Sequence, residues 1–247
     1  MTSHTYQYTH PYGDPCIING KDSLATFSAT LKELTPSAGN ITGTVSRAMS
    51  ASHLRSSGFG IQPGKLQLVF YVHGSSAQSC ALNTSNLVAE CEQCIINTPT
   101  DGFEYVAVLT AVTVKPTGVD FYNQVDLTLT AIKRLPLRSF EVDLSKGGTH
   151  FPFENPGSSD SGMRLILTAS ADAANFQIND IHITELNSQD RFIIDGIEGT
   201  VTCNGVNSFL KTDLVEFPKA HRGVNQLYLP VTEAISLKVE FYPVFNI

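Results

Sequence analysis

The sequence contains no tryptophan and little charge. Charged residues make up 16% of its 247 positions, whereas about 25% is typical of soluble proteins. Its surface must therefore meet water through Ser, Thr, Asn and Gln, or be covered by other subunits. Hydrophobic residues reach 42%, and no apolar run approaches the roughly 18 residues of a membrane helix. We predict a folded, soluble protein that does not enter a membrane.

Basic residues are also scarce. There are 16 Lys and Arg residues against 23 Asp and Glu residues, which gives a formal net charge of -7. Surfaces that bind nucleic acid depend on Lys and Arg to neutralise phosphates, so specific binding of nucleic acid is excluded. The first ten residues lack the basic start and the apolar stretch of a secretion signal. We therefore expect the protein to be made and kept in a cytoplasm.

The cysteines are few, odd in number and scattered. They are Cys16, Cys80, Cys91, Cys94 and Cys203. This pattern favours reduced, buried thiols over a disulfide framework. Cys91 and Cys94 form a C-x-x-C, but a zinc site needs four ligands, and neither a second C-x-x-C nor a pair of histidines at ligand spacing completes one. We predict neither a metal nor a cofactor.

Alternation of apolar and polar residues predicts many strands. It is clear from Lys65 to Val72 and in the last segment, where Ile235, Leu237, Val239 and Phe241 alternate with polar residues and Tyr242. Tyr105 to Val114 and Val125 to Ile132 are rich in Val, Leu and Thr, and turn residues separate them, so these two are expected to pair as antiparallel neighbours. Further strands are expected over Arg164 to Ala169, Phe176 to Leu186, Arg191 to Ile194, Gly199 to Cys203 and Gln226 to Leu229.

Charge and proline between Lys133 and Arg138 interrupt this pattern. We place a domain boundary there and predict two domains, 1–138 and 139–247. Gly147 to Gly162 is expected to be a loop-rich connection. The short, evenly spaced strands beyond Arg138 favour a sandwich or a jelly roll.

One helix is predicted in the first domain. Asn83-Thr84-Ser85 offers capping oxygens, and Leu87, Cys91 and Cys94 then share one face of a helix that ends before Pro99.

The stretch from Asp22 to Arg55 allows two interpretations, a helix or broken strands. Leu24, Phe27, Leu31 and Leu34 fit a helical stripe as well as broken strands. The Ser-rich run from Ser46 to Ser57 suggests a long exposed loop or arm.

The sequence gives little indication of catalytic residues. Glu185, Asp190, Asp195 and Glu198 cluster in sequence, and paired carboxylates can hydrolyse glycosides. No nucleophile or base accompanies them, so turn and surface roles are favoured and we predict no catalytic residue and no enzyme. His182 is expected to point away from its neighbours Ile181 and Ile183, toward solvent or a hydrogen-bonding partner.

Short motifs then indicate a family. In the C-terminal half they are Phe192-Ile193-Ile194-Asp195-Gly196, Asn204-Gly205-Val206-Asn207, Phe217-Pro218 followed by Gly223-Val224-Asn225, and Phe241-Tyr242-Pro243. In the N-terminal half they are Ile18-Asn19-Gly20-Lys21-Asp22, Asn83 to Leu87, Tyr105 to Leu109, and Thr117-Gly118 with Phe121-Tyr122. With these motifs the chain resembles the distal tail protein (Dit) of siphophages and prophages of Gram-positive bacteria.

This resemblance implies a mainly β fold with two β-sandwich domains. The N-terminal sandwich would carry one helix and an extended arm and would form a hexameric ring, and the C-terminal sandwich would be galectin-like. The ring would be a structural hub that joins the tail tube protein to the tail-tip or tail-associated protein. It would lie in the virion at the tail tip after synthesis in the host cytoplasm, and DNA would pass through it without specific binding.

The alternative function is a carbohydrate-binding module for cell-wall polysaccharide. Lectins of this shape usually stack a sugar on Trp, which this chain lacks. Tyr228 or Tyr242 is the substitute platform for a weak glycan contact. A third hypothesis, a glycan-cleaving enzyme that uses Glu185, Asp190 or Asp195, ranks below both.

Overall fold

The chain folds into two compact units, each with its own core. A computed structural model describes residues 6–7, 16–39, 41–47, 54–61, 63–98, 102–142, 144, 150–229 and 235–246. The first unit comprises Met1–Arg134 with Phe245–Ile247, and the second comprises Leu135–Val244. Strands dominate both units, so the prediction of a mainly β fold is confirmed.

The first unit is a large antiparallel sheet with two helices. Its elements are β1 (Tyr6–Gln7), β2 (Ile17–Ile18), β3 (Lys21–Asp22), α1 (Ser23–Phe27), β4 (Ala29–Ser37), β5 (Ile41–Arg47), β6 (Leu54–Ile61), β7 (Gly64–His73), α2 (Ala77–Glu90), β8 (Gln93–Asn97), β9 (Glu104–Pro116) and β10 (Tyr122–Arg134). The sheet runs in the order β1-β4-β7-β10-β9-β8-β2-β3, and β5 pairs with β6 in a separate hairpin. The predicted pairing of the two Val- and Thr-rich segments is thus confirmed as β9 against β10.

Strict alternation places the core on one face of this sheet. On β7, Leu66, Leu68, Phe70 and Val72 are fully buried while their neighbours Lys65 and Gln67 are exposed. The buried residues of β10 follow the same two-residue period, as expected for a sheet with one covered face.

Helix α2 covers part of that face, and its start differs from the prediction. Ser76 caps the helix in a reciprocal pair of hydrogen bonds with Ser79, so the N-cap of α2 lies about two turns before Asn83. Cys80, Thr84 and Leu87 face the core from α2. Both Ser76 and Asn83 carry capping oxygens, and packing of the earlier turn on the sheet selects Ser76.

The end of α2 also differs. Cys91 is the C-cap, and Cys94 lies in strand β8 rather than on the helix. Both residues are nevertheless buried, because β8 turns back and places Cys94 on the core face.

The undecided stretch from Asp22 to Arg55 is mostly strand. Asp22 caps the single-turn helix α1 through the N–H groups of Leu24 and Ala25, and Ser28 ends it in the left-handed conformation. Leu31 and Leu34 are then buried on β4, so the helical stripe does not exist. The ends of the expected arm, 46–47 and 54–57, belong to the β5–β6 hairpin, and residues 48–53 lie outside the described part.

The second unit is a β-sandwich. Its elements are β11 (Arg138–Val142), β12 (His150–Asn155), β13 (Ser161–Ala169), β14 (Ala173–Ile178), β15 (Ile181–Leu186), β16 (Arg191–Asp195), β17 (Thr200–Cys203), β18 (Val206–Asn207), a 3-10 turn (Phe209–Lys211), β19 (Lys219–Ala220), β20 (Gly223–Tyr228) and β21 (Ile235–Phe241), followed by β22 (Val244–Phe245). One sheet has the order β11-β21-β13-β16-β17-β18, with β19 beside β13. The hairpins β12–β20 and β14–β15 pack on it through one shared apolar core.

Two predictions for this unit need correction. Phe176 to Leu186 is a hairpin rather than one strand, because Asn179 adopts a positive φ of 49° and reverses the chain before Ile181. The expected connection from Gly147 to Gly162 contains β12 and the start of β13, while residues 145–149 lie outside the described part.

Other expectations hold. Ile181 and Ile183 are buried and His182 is exposed between them. Asn204 and Gly205 form the turn between β17 and β18, both with positive φ, as the Asn-Gly dipeptide predicts. Neither helix in the described part of the chain is long and apolar enough to span a membrane.

Candidate assembly and binding surfaces

Three of the four clustered carboxylates make separate local contacts. Asp195 accepts a 2.6 Å bond from Nε of Arg164 and caps the N–H groups of Ile197 and Glu198. Asp190 accepts bonds from the Asn187 N–H and from Nδ2 of Asn204.

The bonds to Asp190 also affect its pKa. The Asn187 N–H holds the pKa of Asp190 below its ordinary value despite the opposing effect of burial, and Asn204 adds to this. Glu185 is exposed and lies 3.9 Å from Nζ of Lys211. These contacts fix turns and place Glu185 near a cation.

The thiols of the first unit are sealed in its core. Cys16, Cys80, Cys91 and Cys94 are buried and unbridged. Burial raises the pKa of Cys16 to about 12, with smaller effects from Cys94 and Asp22. Hydrogen bonding to Cys94 and burial raise the pKa of Cys91, whereas the bond from Cys91 lowers that of Cys94. Among the described residues, no group of three His, Cys, Asp or Glu side chains could hold a metal ion.

Among the described residues of the first unit, several exposed apolar side chains lie along β9. Strand β8 pairs with β9 only as far as Val108, and Glu92 accepts one further bond from the Leu109 N–H. Beyond this point β9 has β10 on one side and no described strand on the other. Val112 and Val114 face the same side as the buried Leu127 and Val125 of β10, yet they are 38% and 46% exposed.

This area continues into the turn after β9. Val119 is 66% exposed and Phe121 is 44% exposed with a positive φ of 62°. With Val112 and Val114 they form what we call the β9 edge surface. A depression of about 310 Å³ lies at its end, lined in part by Pro116, Val119 and Phe121 and by Ala77 and Cys80 of α2.

The β5–β6 hairpin is a separate two-stranded sheet of this unit. Its strands pair antiparallel from Ile41 opposite Ile61 to Arg47 opposite Leu54, with one irregularity between Thr42 and Thr44. Among the described residues, the hairpin forms its own sheet and shares no ladder with the large sheet. It contains the two ends of the arm expected from the sequence, 46–47 and 54–57.

The second unit contains a cleft of about 570 Å³ beside β20. We call it the β20 cleft. Its walls are the outward residues of β20, the turn at Asn179–Asp180 and the segment 215–219. Val224 is 76% exposed on β20, and Val215 is fully exposed at the top of the opposite segment. The sequence motifs Phe217-Pro218 and Gly223-Val224-Asn225 border this cleft, but they did not predict it.

Close main-chain packing holds the wall at 215–219 in place. The Met163 N–H donates to the Pro218 carbonyl, and the Gly196 N–H donates to the Met163 carbonyl, both at 2.9 Å. A Cβ on Gly196 would lie 2.2 Å from the Pro218 oxygen, and one on Gly162 would lie 2.2 Å from the Gly196 oxygen. Only glycine permits this approach at both positions.

The two candidate sugar platforms differ in access. Tyr228 is 47% exposed on β20, and its ring packs edge-on against His150 at 5.3 Å. Tyr242 is partly buried after β21. The described structure does not bring the two rings into one platform.

Comparison with known proteins places this architecture in a class. No family model matches the sequence, and no curated protein matches it. Solved structures do match, and together they define the two-unit, mainly β fold of phage hub and baseplate proteins. The resemblance expected from the short motifs is confirmed at the level of the fold.

The particular match is to Dit (gp 19.1) of phage SPP1, described as a paradigm of the hub adsorption apparatus in phages that infect Gram-positive bacteria. The TM-score is 0.69 at 12% identity, over 94% of this chain and 98% of that one. A chain of the phage p2 baseplate in its activated conformation with Sr matches with a TM-score of 0.51 at 13% identity, over 92% of this chain and 97% of that one. The chain thus has a fold like that of SPP1 Dit over 94% of its length.

Proposed function

We propose that the protein is the structural hub of a phage tail, a homo-hexameric ring that joins the tail tube to the tail tip or baseplate. The observation that carries this proposal is the match to SPP1 Dit, which includes both units and nearly the whole of each chain. Its partners would be the tail tube protein and the tail-tip or tail-associated protein. It would lie in the virion at the tail tip after synthesis in the bacterial cytoplasm.

The first unit supplies surfaces suited to a ring. A closed ring needs a heterologous interface, so each copy must present two different patches. The β9 edge surface is one such patch, because it leaves apolar side chains and an unpaired strand edge exposed together. The β5–β6 hairpin is the candidate for the second. We assign residues 1–138 to ring formation and 139–247 to the galectin-like domain.

The role proposed is one of scaffolding rather than turnover. The carboxylate of Asp195 pairs with Arg164, and that of Asp190 accepts a bond from the Asn187 N–H. A formal net charge of -7 suits a ring through which DNA passes without adhering.

The test is the oligomeric state of the full chain. We expect native mass spectrometry and light scattering to show six copies, and electron micrographs to show a ring. A strict monomer at every concentration, alone and with the tail tube and tail-tip proteins, would contradict the proposal.

A paired variant tests the interface itself. V112E/V114E should weaken ring assembly at least about tenfold, because two charges would be buried in the contact. The matched control is V206E, which changes a valine that is 68% exposed in the second unit. If V112E/V114E forms rings as well as V206E does, the β9 edge surface is not the interface.

A further inference from the structure

The free edge of β20 carries main-chain groups that nothing in the described structure satisfies. The Tyr228 N–H donates to Oδ1 of Asn179 at 2.6 Å, and the Tyr228 carbonyl accepts from the Asn179 N–H at 3.0 Å. Both groups therefore point away from β12. Because these directions alternate along a strand, the groups of Val224 and Gln226 point the same way. Among the described residues, no hydrogen bond engages them.

These groups open into the β20 cleft rather than onto a flat surface. Val224 and Gln226 line one wall, and the segment 215–219 forms another. The bond from Met163 to Pro218 fixes that second wall. The cleft volume of about 570 Å³ falls in the range of ligand-binding sites, roughly 300–1,000 Å³. A single strand needs only about 4.8 Å beside its neighbour.

We propose that the β20 cleft binds an extended peptide segment of a partner protein, which adds to the β12–β20 hairpin as a third strand. The N–H and carbonyl groups of Val224 and Gln226 repeat every two residues, about 6.8 Å apart, which is the repeat of an extended peptide. The exposed side chain of Val224 would contact alternate residues of that peptide.

A peptide fits this site better than a saccharide does. Sugar sites usually offer an exposed aromatic face, whereas the two phenylalanine rings that line the cleft, Phe153 and Phe217, are partly buried against the core. Regularly spaced main-chain donors and acceptors match another main chain and not a pyranose ring.

The charges around the cleft indicate a basic residue in the peptide. Glu216 pairs with Lys219, and Asp160 accepts bonds from the His221 ring and from the Arg222 N–H. Asp180 is exposed at the turn that lines the cleft and has no partner among the described residues. A Lys or Arg of the peptide would complement this carboxylate.

The experiment selects binders from a displayed library of seven-residue peptides on the full-length protein and measures their affinities by fluorescence anisotropy. Gln226→Pro removes the N–H that faces the cleft and leaves the ladder to β12 intact, since proline is tolerated on a free edge. Gln226→Ala keeps that N–H and is the matched control. We expect binding to weaken at least about tenfold with Gln226→Pro and less than twofold with Gln226→Ala.

The charge is tested separately. Peptides that contain Lys or Arg should bind Asp180→Asn about threefold more weakly than the unaltered protein. If Gln226→Pro fails to fold, methylating the peptide amides in turn on the unaltered protein makes the same test, and binding should fall at every second residue.

Two results would overturn the proposal. One is a selection with no binder above background, or with binders indifferent both to Gln226→Pro and to amide methylation. The other is tight binding of cell-wall polysaccharide fragments that Gln226→Ala abolishes, which would assign the cleft to a glycan.

Discussion

The two units of this chain differ in what they bury. In the described part of the first unit the buried polar residues are uncharged, and four thiols lie in the core. The second unit buries Asp190, Asp195 and Glu240 and has one cysteine, Cys203, which is partly exposed. Strand edges differ as well, since the exposed edge of β9 is bordered by valines, whereas the free edge of β20 lies in a cleft with both polar and apolar walls.

This difference indicates two kinds of contact. An exposed apolar edge is a liability for a protein that stays alone, so it is best explained by permanent coverage in an assembly. A cleft beside a short edge excludes a second sheet and admits one strand. We therefore expect the first unit to determine the assembly of copies and the second unit to determine the choice of partner.

Among the variants that test this difference between the units, replacement of Arg164 is expected to have the largest effect on stability. The Arg164 side chain bonds Asp195 at 2.6 Å and Glu240 at 3.2 Å, and those carboxylate side chains are 9% and 8% exposed. Arg164→Met leaves Asp195 without its cation, so the free energy of unfolding of the second unit should fall by about 3 kcal/mol. Chemical denaturation measures the loss, and hydrogen exchange of amides in each unit shows whether the second unit is the one affected.

The control is an ion pair of the first unit. Lys115 pairs with Asp126, but Lys115 is 57% exposed. Lys115→Met should cost less than about 1 kcal/mol. Equal losses in the two variants would show that burial of charge does not distinguish the units.

The sequence predicted strands and turns better than it predicted contacts between residues far apart in the chain. The alternation in β21 identified the buried face correctly, but it could not show that Glu240, on the opposite face, is buried by Arg164 from another strand. The Val, Leu and Thr content of β9 likewise predicted a strand without showing that β8 begins opposite Val108. The β20 cleft depends on Pro218 returning to Met163, a contact between residues far apart in the chain.

Gly196 tests the wall of the β20 cleft and gives the next largest effect. A methyl group there meets main-chain oxygens of Pro218 at 2.2 Å and of Met163 at 2.7 Å. Gly196→Ala should therefore destabilise the second unit by about 2 kcal/mol, because neither oxygen is on a flexible side chain. Urea denaturation measures the loss.

Gly199 provides the comparison for backbone strain. It has a positive φ of 69°, and an added Cβ would have nothing within 4 Å. Gly199→Ala should cost only about 1 kcal/mol, the penalty for a left-handed residue. If Gly196→Ala lowers the free energy of unfolding no more than Gly199→Ala does, the segment 215–219 can move away from the added methyl group, and the prediction is wrong.

The smallest expected effect concerns the cysteines. The thiols of the two units should differ in their rate of chemical modification, while the stability of the protein stays nearly the same. Cys203 is the one thiol among the five that is not buried, yet partial burial and the nearby Asp190 raise its pKa. A thiol-specific aromatic disulfide should therefore modify one group per chain in the native protein, slowly at pH 7 and faster as the pH rises toward the raised pKa. All five should react after unfolding.

The site of modification separates the two units. Mass spectrometry should locate the native label at Cys203, and Cys203→Ser should abolish it. The Cys16 thiol is protected twice, because burial both blocks access and raises its pKa to about 12. Early labelling of Cys16, Cys91 or Cys94 in the native protein would contradict this prediction. It would show that the core of the first unit opens, because buried thiols react only through opening.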